Sequence, residues 1–392
     1  MPEAIKLDKP RLLTPGPTPI PEKVRLALAL DMVHHRKAPF KELMGRVQDK
    51  LRILFGTAQE VLPLAASGTG AMVAALSGLF NPGEKILVVQ GGKFGERWTE
   101  IAKARALIPV ILEVEEGRAV KVSAVAAALD ADPQITGLCV QISETSTGVQ
   151  HPVRDLAALT SGREVLLLAD GISAVGISPC PMDEWGIDCL LTGSQKGLML
   201  PPGLAFIALS ERAWRKTQSV SAPDYYFNLP AERANSNKNQ TNFTPAIGLL
   251  VALDESLDLF MEAGLENIYS KQWALTLMAR TALTSLGLDL YAPENFAWGL
   301  TSLRMPQGIS SSDVLALAAR RFNVIMAAGQ GQSKNSIIRL GHMGWVDWAD
   351  LAAGLHALAE SLHELGAPLN RADYLEKGLA AYWQALNDGY PE

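Results

Sequence analysis

The sequence has 392 residues, of which 48% are apolar and 19% charged, and its formal net charge is −6 at pH 7. This length fits two or three domains, and the composition excludes a disordered or collagen-like chain. The acidic balance argues against a nucleic-acid partner, and no apolar run approaches the roughly 20 residues that cross a membrane. Three cysteines are too few for a disulfide framework, and residues 1–11 lack the apolar core of a signal peptide. We therefore expect a cytoplasmic protein.

Short β-rich runs alternate with helical patterns from about residue 61 to residue 210, which predicts an α/β fold with a mainly parallel sheet. Several of the runs are apolar on successive residues, as expected where helices cover both faces of a sheet. The predicted strands are Val61–Ala65, Lys85–Gln90, Val110–Val114, Ile135–Ile142, Glu164–Ala169, Ile187–Leu191 and Leu204–Leu209. Helices are predicted over Thr69–Phe80 and Phe94–Ala104.

The pattern changes after the seventh strand. We interpret the polar stretch Arg233–Asn242 as a surface or interface loop, because Asn and Ser favour turns. A long helix is predicted over Pro245–Met261. Beyond it, strands at 302–305, 324–327 and 337–341 surround a helix at 311–321, and leucines recur at helical spacing from 351 to 365. We predict a large domain over residues 21–264 and a smaller α+β domain over residues 265–392.

Lys196 is the only charged residue between Asp188 and Glu211. A lysine with apolar neighbours is poorly solvated, so its pKa should fall and its amine could act as a nucleophile or base. The alternative is a lysine whose ammonium group reaches water from a loop.

Asp170 is likewise the only charged residue between Glu164 and Asp183, and it follows an apolar predicted strand. The carboxyl ends of parallel strands are where α/β sheets bind ligands. A turn or helix-capping aspartate is the alternative explanation.

The segment Ala66–Ala71 reads Ala-Ser-Gly-Thr-Gly-Ala, follows a predicted strand and opens a predicted helix. Exposed amides at such a turn, together with the helix dipole, make a seat for a phosphate, although a tight turn without a ligand is also possible. Val73 departs from the dinucleotide-binding pattern, and no Gly-Lys-Ser/Thr follows. A lysine amine, a carboxylate at a strand end and a phosphate seat together are the requirements of pyridoxal 5′-phosphate.

Six segments resemble the motifs of the class V aminotransferases, in the family's order over about residues 10–365. The resemblance is greatest to the alanine–glyoxylate, serine–pyruvate and serine–glyoxylate branch. It implies a fold-type I pyridoxal-phosphate enzyme with a seven-stranded sheet in its large domain, and a homodimer with active sites at the subunit interface. The segments are Thr14–Pro17, Ser67–Gly70, Ser143–Gly148, Asp170–Gly176, Gly193–Gly197 and Ile338–Gly344.

The resemblance also implies roles for individual residues. Lys196 would attach the cofactor covalently and transfer a proton, and Asp170 would pair with the pyridinium nitrogen. The residues that would contact the phosphate are Ser67, Gly68, Thr69, Gly70, Ala71 and Gln195, with Thr241 and Thr244 reaching it across the dimer interface. The residues that would contact the ring are Thr145 at the 3′-oxygen, Phe94 above it and Ile172 beneath it. Thr241 departs from the tyrosine of some relatives.

On the substrate side, the resemblance implies that Arg339 grips the α-carboxylate. A planar guanidinium meets a carboxylate in two hydrogen bonds, which fixes the orientation of the substrate. Pro15, Gly16 and Pro17 would line this side of the site, so residues 1–20 form an N-terminal segment of the active site.

We therefore expect an aminotransferase that moves the amino group of alanine or serine to a 2-oxo acid, glyoxylate or pyruvate. These substrates and a second subunit are the expected partners, with no nucleic acid and no membrane. An aspartate-using enzyme of the same family is the main alternative. It would need another cation for the second carboxylate, and Arg36, Lys93 and Arg97 are candidates.

Other classes are less well supported by the sequence. A lyase or cysteine desulfurase is a further alternative, but desulfuration needs a nucleophilic thiol on a mobile loop, and Cys139 and Cys189 lie in predicted strands while Cys180 follows the Asp170 segment. A cofactor-bound protein without activity would not need the lysine, aspartate and arginine together. We expect no metal, because His356 and His363 lie seven residues apart with no third ligand.

Overall fold

The computed structural model describes residues 8–391, which form fourteen strands and fourteen α-helices. The strands are β1 (Arg11–Leu12), β2 (Val61–Leu64), β3 (Lys85–Gln90), β4 (Ile108–Glu113), β5 (Ile135–Gln141), β6 (Ser143–Glu144), β7 (Val149–Gln150), β8 (Leu166–Asp170), β9 (Cys189–Gly193), β10 (Ala205–Leu209), β11 (Leu300–Arg304), β12 (Val324–Ile325), β13 (Ala327–Ala328) and β14 (Ile337–Gly341).

The helices are α1 (Glu22–Ala27), α2 (Ala38–Phe55), α3 (Gly68–Leu79), α4 (Lys93–Ala104), α5 (Val122–Ala131), α6 (Val153–Thr160), α7 (Met182–Trp185), α8 (Glu211–Thr217), α9 (Leu229–Ser236), α10 (Ile247–Ala263), α11 (Leu265–Ser285), α12 (Ser311–Phe322), α13 (Trp348–Glu364) and α14 (Tyr374–Asp388). None of these described helices combines the length and the hydropathy that a membrane crossing requires.

Seven strands form the large sheet, in the order β2-β10-β9-β8-β5-β3-β4. Only β10 runs against the others, because it is antiparallel to both β2 and β9. The predicted mainly parallel α/β sheet is therefore confirmed. All seven predicted strands are present, and their ends differ from the prediction by at most two residues.

Helices cover both faces of this sheet, which explains the continuous apolar runs of its strands. On one face, α3, α4 and α8 bury residues such as Leu76 and Trp98 against Val88 of β3. On the other face, α2, α5, α6 and α10 pack against Leu87 and its neighbours. Because successive side chains of a strand point to opposite faces, Leu87 and Val88 lie in different cores.

A separate apolar core joins α11, α12, α13 and α14 to the three-stranded antiparallel sheet β11-β14-β13. The N-terminal strand β1 pairs in parallel with β12, and Leu13 is buried in this second core. The helix at the C-terminal end, α14, packs along α11 and buries Tyr374 and Tyr382. The domain limits at residues 20 and 264 stay predictions, and residues 1–7 of the N-terminal segment lie outside the described residues.

The interpretation of residues 233–242 as a loop is wrong for their first four residues, which belong to α9. The Asn228 side chain accepts a hydrogen bond from the Ala231 amide and caps this helix, and Pro230 occupies its first turn. The Arg233 guanidinium lies over the Trp214 ring, 4.5 Å from its centroid, and pairs with Glu60. These start signals lie before the polar stretch, so its composition alone did not reveal the helix.

Candidate active site

A cavity of about 300 Å³ lies where the large sheet ends, between the first turns of α3 and α4 and the strand β14. In the parallel part of the sheet, Gln141 and Asp170 are paired at the carboxyl ends of β5 and β8, so the cavity lies at the edge where α/β sheets bind ligands. A cavity of about 830 Å³ beside residues 9–25 is larger, but none of the predicted site residues lines it. The lining of the smaller cavity is Thr14, Pro15, Gly16, Ser67, Gly68, Thr69, Phe94, Arg97, Ser143, Thr145, Asp170, Ile172, Gln195, Lys196, Ala327, Gln330 and Arg339.

Lys196 follows β9 by three residues and extends into this cavity, where its ammonium donates a hydrogen bond to the Pro15 carbonyl. The pKa of this amine is lowered to about 8: burial is the largest cause, the positive charges of Arg339 and Arg97 act in the same direction, and Asp170 opposes them. A lysine with this pKa is partly neutral near pH 7, as a nucleophile or base requires.

Asp170 ends β8 and is 4% exposed. Burial raises the pKa of its carboxyl to about 7, the Ile172 amide hydrogen bond lowers it, and the nearby Glu144 raises it. The Ile172 amide donates to Oδ1 at 2.8 Å, which leaves Oδ2 for a group in the cavity. A cationic ring nitrogen placed there would restore the ionised form of this carboxyl.

The glycine turn provides free backbone amides at the start of α3, but only at some of the predicted positions. The amides of Gly70 and Ala71 donate to the Ser67 carbonyl, at 2.7 and 3.3 Å, and neither residue lines the cavity. Gly68 and Thr69 do line it, and the first amides of a helix have no acceptor within the helix. Of the predicted phosphate contacts, Gly68 and Thr69 therefore have free amides beside the cavity, whereas the amides of Gly70 and Ala71 are used within the turn.

Gln195 lies beside this turn and carries a buried side-chain oxygen, Oε1, that has no hydrogen-bond partner in the described chain. Its amide group faces the same cavity as Gly68 and Thr69. A buried polar atom without a partner is costly unless a ligand or water satisfies it. A phosphate oxygen cannot donate to Oε1, so the contact with a phosphate that the sequence predicts would be a hydrogen bond donated by Nε2 of the same amide group.

Arg339 lies in the middle of β14 and is 7% exposed. Its Nε donates to the Ala328 carbonyl at 2.8 Å and its Nη1 to the Thr145 carbonyl at 3.0 Å. Burial lowers the pKa of the guanidinium to about 10, although Glu144 opposes this effect. No carboxylate in residues 8–391 forms an ion pair with it, so a buried cation with a free Nη2 faces the cavity.

The first turn of α4 is held by Glu144, which is fully buried. Its carboxylate accepts hydrogen bonds from the amides of Phe94, Gly95 and Ser146. A carboxylate at this end of a helix is favoured by the helix dipole, although burial raises its pKa. Glu144 therefore fixes the backbone that carries the Phe94 ring into the cavity.

Gly16 approaches Lys196 so closely that a side chain at this position would push the lysine side chain aside. Its φ is +117°, which disfavours a side chain, and a Cβ built there would lie 2.5 Å from the Lys196 Nζ. The N-terminal segment thus forms one wall of the cavity beside the lysine, and the predicted contact of Gly16 with the substrate stays a prediction.

Most of the predicted site residues come together in this cavity, but five do not line it. Pro17 lies next to Gly16 outside the lining, and Thr241 donates to the Phe243 carbonyl of its own chain at 2.6 Å. The contacts of Thr241 and Thr244 with a partner subunit stay predictions. The residues outside the lining are Gly70, Ala71, Pro17, Thr241 and Thr244.

Four lining residues escaped the sequence analysis: Thr14, Ser143, Ala327 and Gln330. Ser143 has a buried hydroxyl without a partner in the described chain, and its place two residues before Thr145 in a quoted motif was a usable signal. Gln330 lies in a loop after β13, where the sequence shows no pattern that separates it from other polar residues.

Comparison with known proteins agrees with this geometry. The family model of the class V aminotransferases matches residues 23–346. The chain belongs to the class V aminotransferases. A curated protein named soluble hydrogenase, small subunit, from Synechococcus sp. is 36% identical, over 92% of this chain and 94% of its own. The serine–glyoxylate aminotransferase of Methylorubrum extorquens is 32% identical over 91% of each chain.

Among solved structures, an aspartate aminotransferase of subgroup IV from Thermus thermophilus superposes with a TM-score of 0.84. It is 32% identical and covers 90% of this chain and 99% of its own. The family and its structural neighbours are pyridoxal-phosphate-dependent aminotransferases of fold type I, and the predicted family, fold and enzyme class are therefore confirmed.

The cavity fits pyridoxal 5′-phosphate in three respects. It combines an amine of lowered pKa, a carboxyl of raised pKa with one free oxygen, and a turn with free amides beside the Gln195 side chain. None of the three cysteines lines it, and all three are buried elsewhere in the fold. Burial raises the pKa of Cys180 to about 12 and raises those of Cys139 and Cys189 as well.

Proposed function

We propose that this class V aminotransferase transfers the amino group of alanine or serine to glyoxylate or pyruvate, with pyridoxal 5′-phosphate attached at Lys196. The observation that carries the proposal is Arg339, a buried guanidinium without an ion pair in the described chain, in the same cavity as Lys196. The cavity of about 300 Å³ must hold both cofactor and substrate, which favours a small substrate. The name of the Methylorubrum relative supports serine and glyoxylate as a pair.

The chain's own groups divide the reaction between them. Arg339 would bind the α-carboxylate and orient the Cα–H bond of the substrate for proton removal. The cofactor, when bound, would supply an electron sink. Lys196, with its lowered pKa, would accept the Cα proton and return it, and Asp170 would pair with the cofactor's ring nitrogen.

The aspartate alternative depends on one of three cations. Lys93 pairs with Glu96, and Arg36 donates to Gln240 Oε1 and to two backbone carbonyls. Of the three, only Arg97 lines the cavity. The Thermus neighbour is named an aspartate aminotransferase, and aspartate is therefore included among the amino acids tested below.

A half-reaction screen tests the proposal. The purified protein with bound cofactor is mixed with single amino acids, and the loss of the visible absorbance is followed without an acceptor. We expect alanine or serine to convert the cofactor, and glyoxylate or pyruvate to restore the absorbance. Faster conversion by aspartate would replace the proposal with the alternative, and no conversion by any amino acid would refute both.

We also propose a homodimer with the site at the interface. The side chains of Leu26, Leu30, Met32 and Tyr225 are 64%, 62%, 73% and 84% exposed. Leu26, Leu30 and Met32 lie within seven residues of one another in the chain. Exposed large apolar side chains mark surfaces that bind another protein, and a second copy of this chain fits the family. Sedimentation of a monomer at micromolar concentration would contradict this proposal.

A further inference from the structure

Arg97 is a cation in the cavity that has no role in the proposal above. It lies one turn after Phe94 on α4, with its guanidinium carbon 4.8 Å from the centre of the Phe94 ring. Its Nη1 donates to the Thr69 hydroxyl at 3.3 Å. No carboxylate in residues 8–391 forms an ion pair with Arg97, although its charge acts on both Asp170 and Lys196.

We propose that Arg97 is the counter-ion of the cofactor phosphate, an inference that rests on the proposed cofactor site. The other groups at the predicted phosphate seat, Ser67, Gly68, Thr69 and Gln195, are all neutral, whereas a phosphate ester carries close to two negative charges. Arg97 already contacts Thr69, the residue whose amide opens the seat. A guanidinium presents several donors in a plane and matches phosphate oxygens better than an ammonium does.

This role has a consequence for substrate choice. An arginine that binds the phosphate is not available for a second carboxylate at the other end of the substrate. Arg36 and Lys93 are outside the cavity lining, so Arg339 is then the one arginine of this chain that faces the substrate. The assignment therefore favours a donor with a single carboxylate, such as alanine or serine.

The test compares the cofactor with pyridoxal, which lacks the phosphate. Full-length protein is freed of cofactor by hydroxylamine, which releases it from the lysine, and then by dialysis. It is titrated with each compound, and binding is followed by the visible absorbance. Arg97→Gln should weaken the affinity for pyridoxal 5′-phosphate about 10- to 100-fold, the usual effect of losing a charge-assisted hydrogen bond. It should change the affinity for pyridoxal by less than about 3-fold, because that compound has no phosphate to bind Arg97.

Two variants serve as controls. Lys103→Gln removes an exposed cation from the last turn of the same helix and should change neither affinity. Arg97→Lys keeps the charge without the fork and should give an intermediate loss for the phosphorylated compound alone. Thermal unfolding of each cofactor-free variant verifies that it is folded, and if Arg97→Gln is not, the lysine variant carries the test.

An equal loss of affinity for both compounds would overturn the inference, since Arg97 would then act only by supporting the Phe94 ring. Unchanged affinities together with a raised KM for aspartate would also overturn it and assign Arg97 to a distal carboxylate. Neither result would refute the proposed aminotransferase activity, because the half-reaction screen measures amino-group transfer in the unmodified protein.

Discussion

Arg339→Lys is the most direct perturbation of the proposed substrate site. In the structure, two of the three guanidinium nitrogens are held by the Ala328 and Thr145 carbonyls, at 2.8 and 3.0 Å. These bonds fix the plane of the fork while one nitrogen remains free for a ligand. A lysine keeps the charge, but its single nitrogen cannot hold both carbonyls and a carboxylate in one plane.

The expected magnitude follows from the lost hydrogen bonds. The free Nη2 and the second N–H of Nη1 can together meet a carboxylate in two hydrogen bonds. A lysine retains one of these bonds, and a hydrogen bond to a charged group contributes about 1.5–3 kcal/mol. A loss of this size raises KM for alanine about 10- to 150-fold. The rate constant kcat should fall as well, because the orientation of the substrate is no longer fixed.

The assay measures kcat and KM for alanine at saturating glyoxylate. Arg280→Lys is a matched control, because Arg280 also donates to two backbone carbonyls, of Ala292 and Pro293, and burial also lowers its pKa to about 10. It lines no part of the cavity, so its variant should lose stability but keep the KM of the unmodified protein. An unchanged KM in Arg339→Lys would refute the reasoning and move the carboxylate site elsewhere.

Three further predictions concern the groups around the cofactor. The rate at which Lys196 captures pyridoxal 5′-phosphate should rise with pH to a midpoint near 8, because only the neutral amine reacts; stopped-flow absorbance would measure this rise, and Lys196→Ala should abolish capture. Asp170→Asn should slow transamination on the order of 100-fold or more, because the amide cannot stabilise a protonated ring nitrogen, and near-normal turnover would contradict the assignment. Gly16→Ala should displace the Lys196 side chain and weaken cofactor binding in an absorbance titration, whereas Gly308→Ala, which has a similar positive φ but no atom within 4 Å of its Cβ, should cost stability alone.

The large sheet was predictable because its signals are local. Each strand is a short apolar run between polar turns, and burial on both faces removes the alternation that would otherwise mark one face. The short strand β1 was not predictable, since Arg11 and Leu12 pair with Val324 and Ile325, more than 300 residues away in the chain. Such a contact leaves no pattern in the neighbouring sequence.

The proximity of Lys196 and Asp170 was predictable because each is the single charged residue of an apolar stretch. Lys196 and Asp170 are single charges in long apolar stretches, and the structure explains both stretches by burial. Gly70 and Ala71 were placed at the phosphate seat from the motif, but the turn uses their amides for the Ser67 carbonyl. Which amides of a glycine turn stay free depends on its backbone angles, which composition does not specify.

The charges of the cavity give a physical reason why it should bind two anions. Lys196, Arg97 and Arg339 converge there without an ion pair in the described chain. The nearby acidic residues neutralise little of this positive charge. The pKa of Asp170 is raised to about 7, and the Glu144 carboxylate already accepts hydrogen bonds from backbone amides. Cations that are largely withdrawn from water without a counter-charge are costly, and the cost falls when anions bind. A phosphate beside Arg97 and a carboxylate beside Arg339 would supply the missing negative charge, so binding of the cofactor and the substrate should also stabilise the fold.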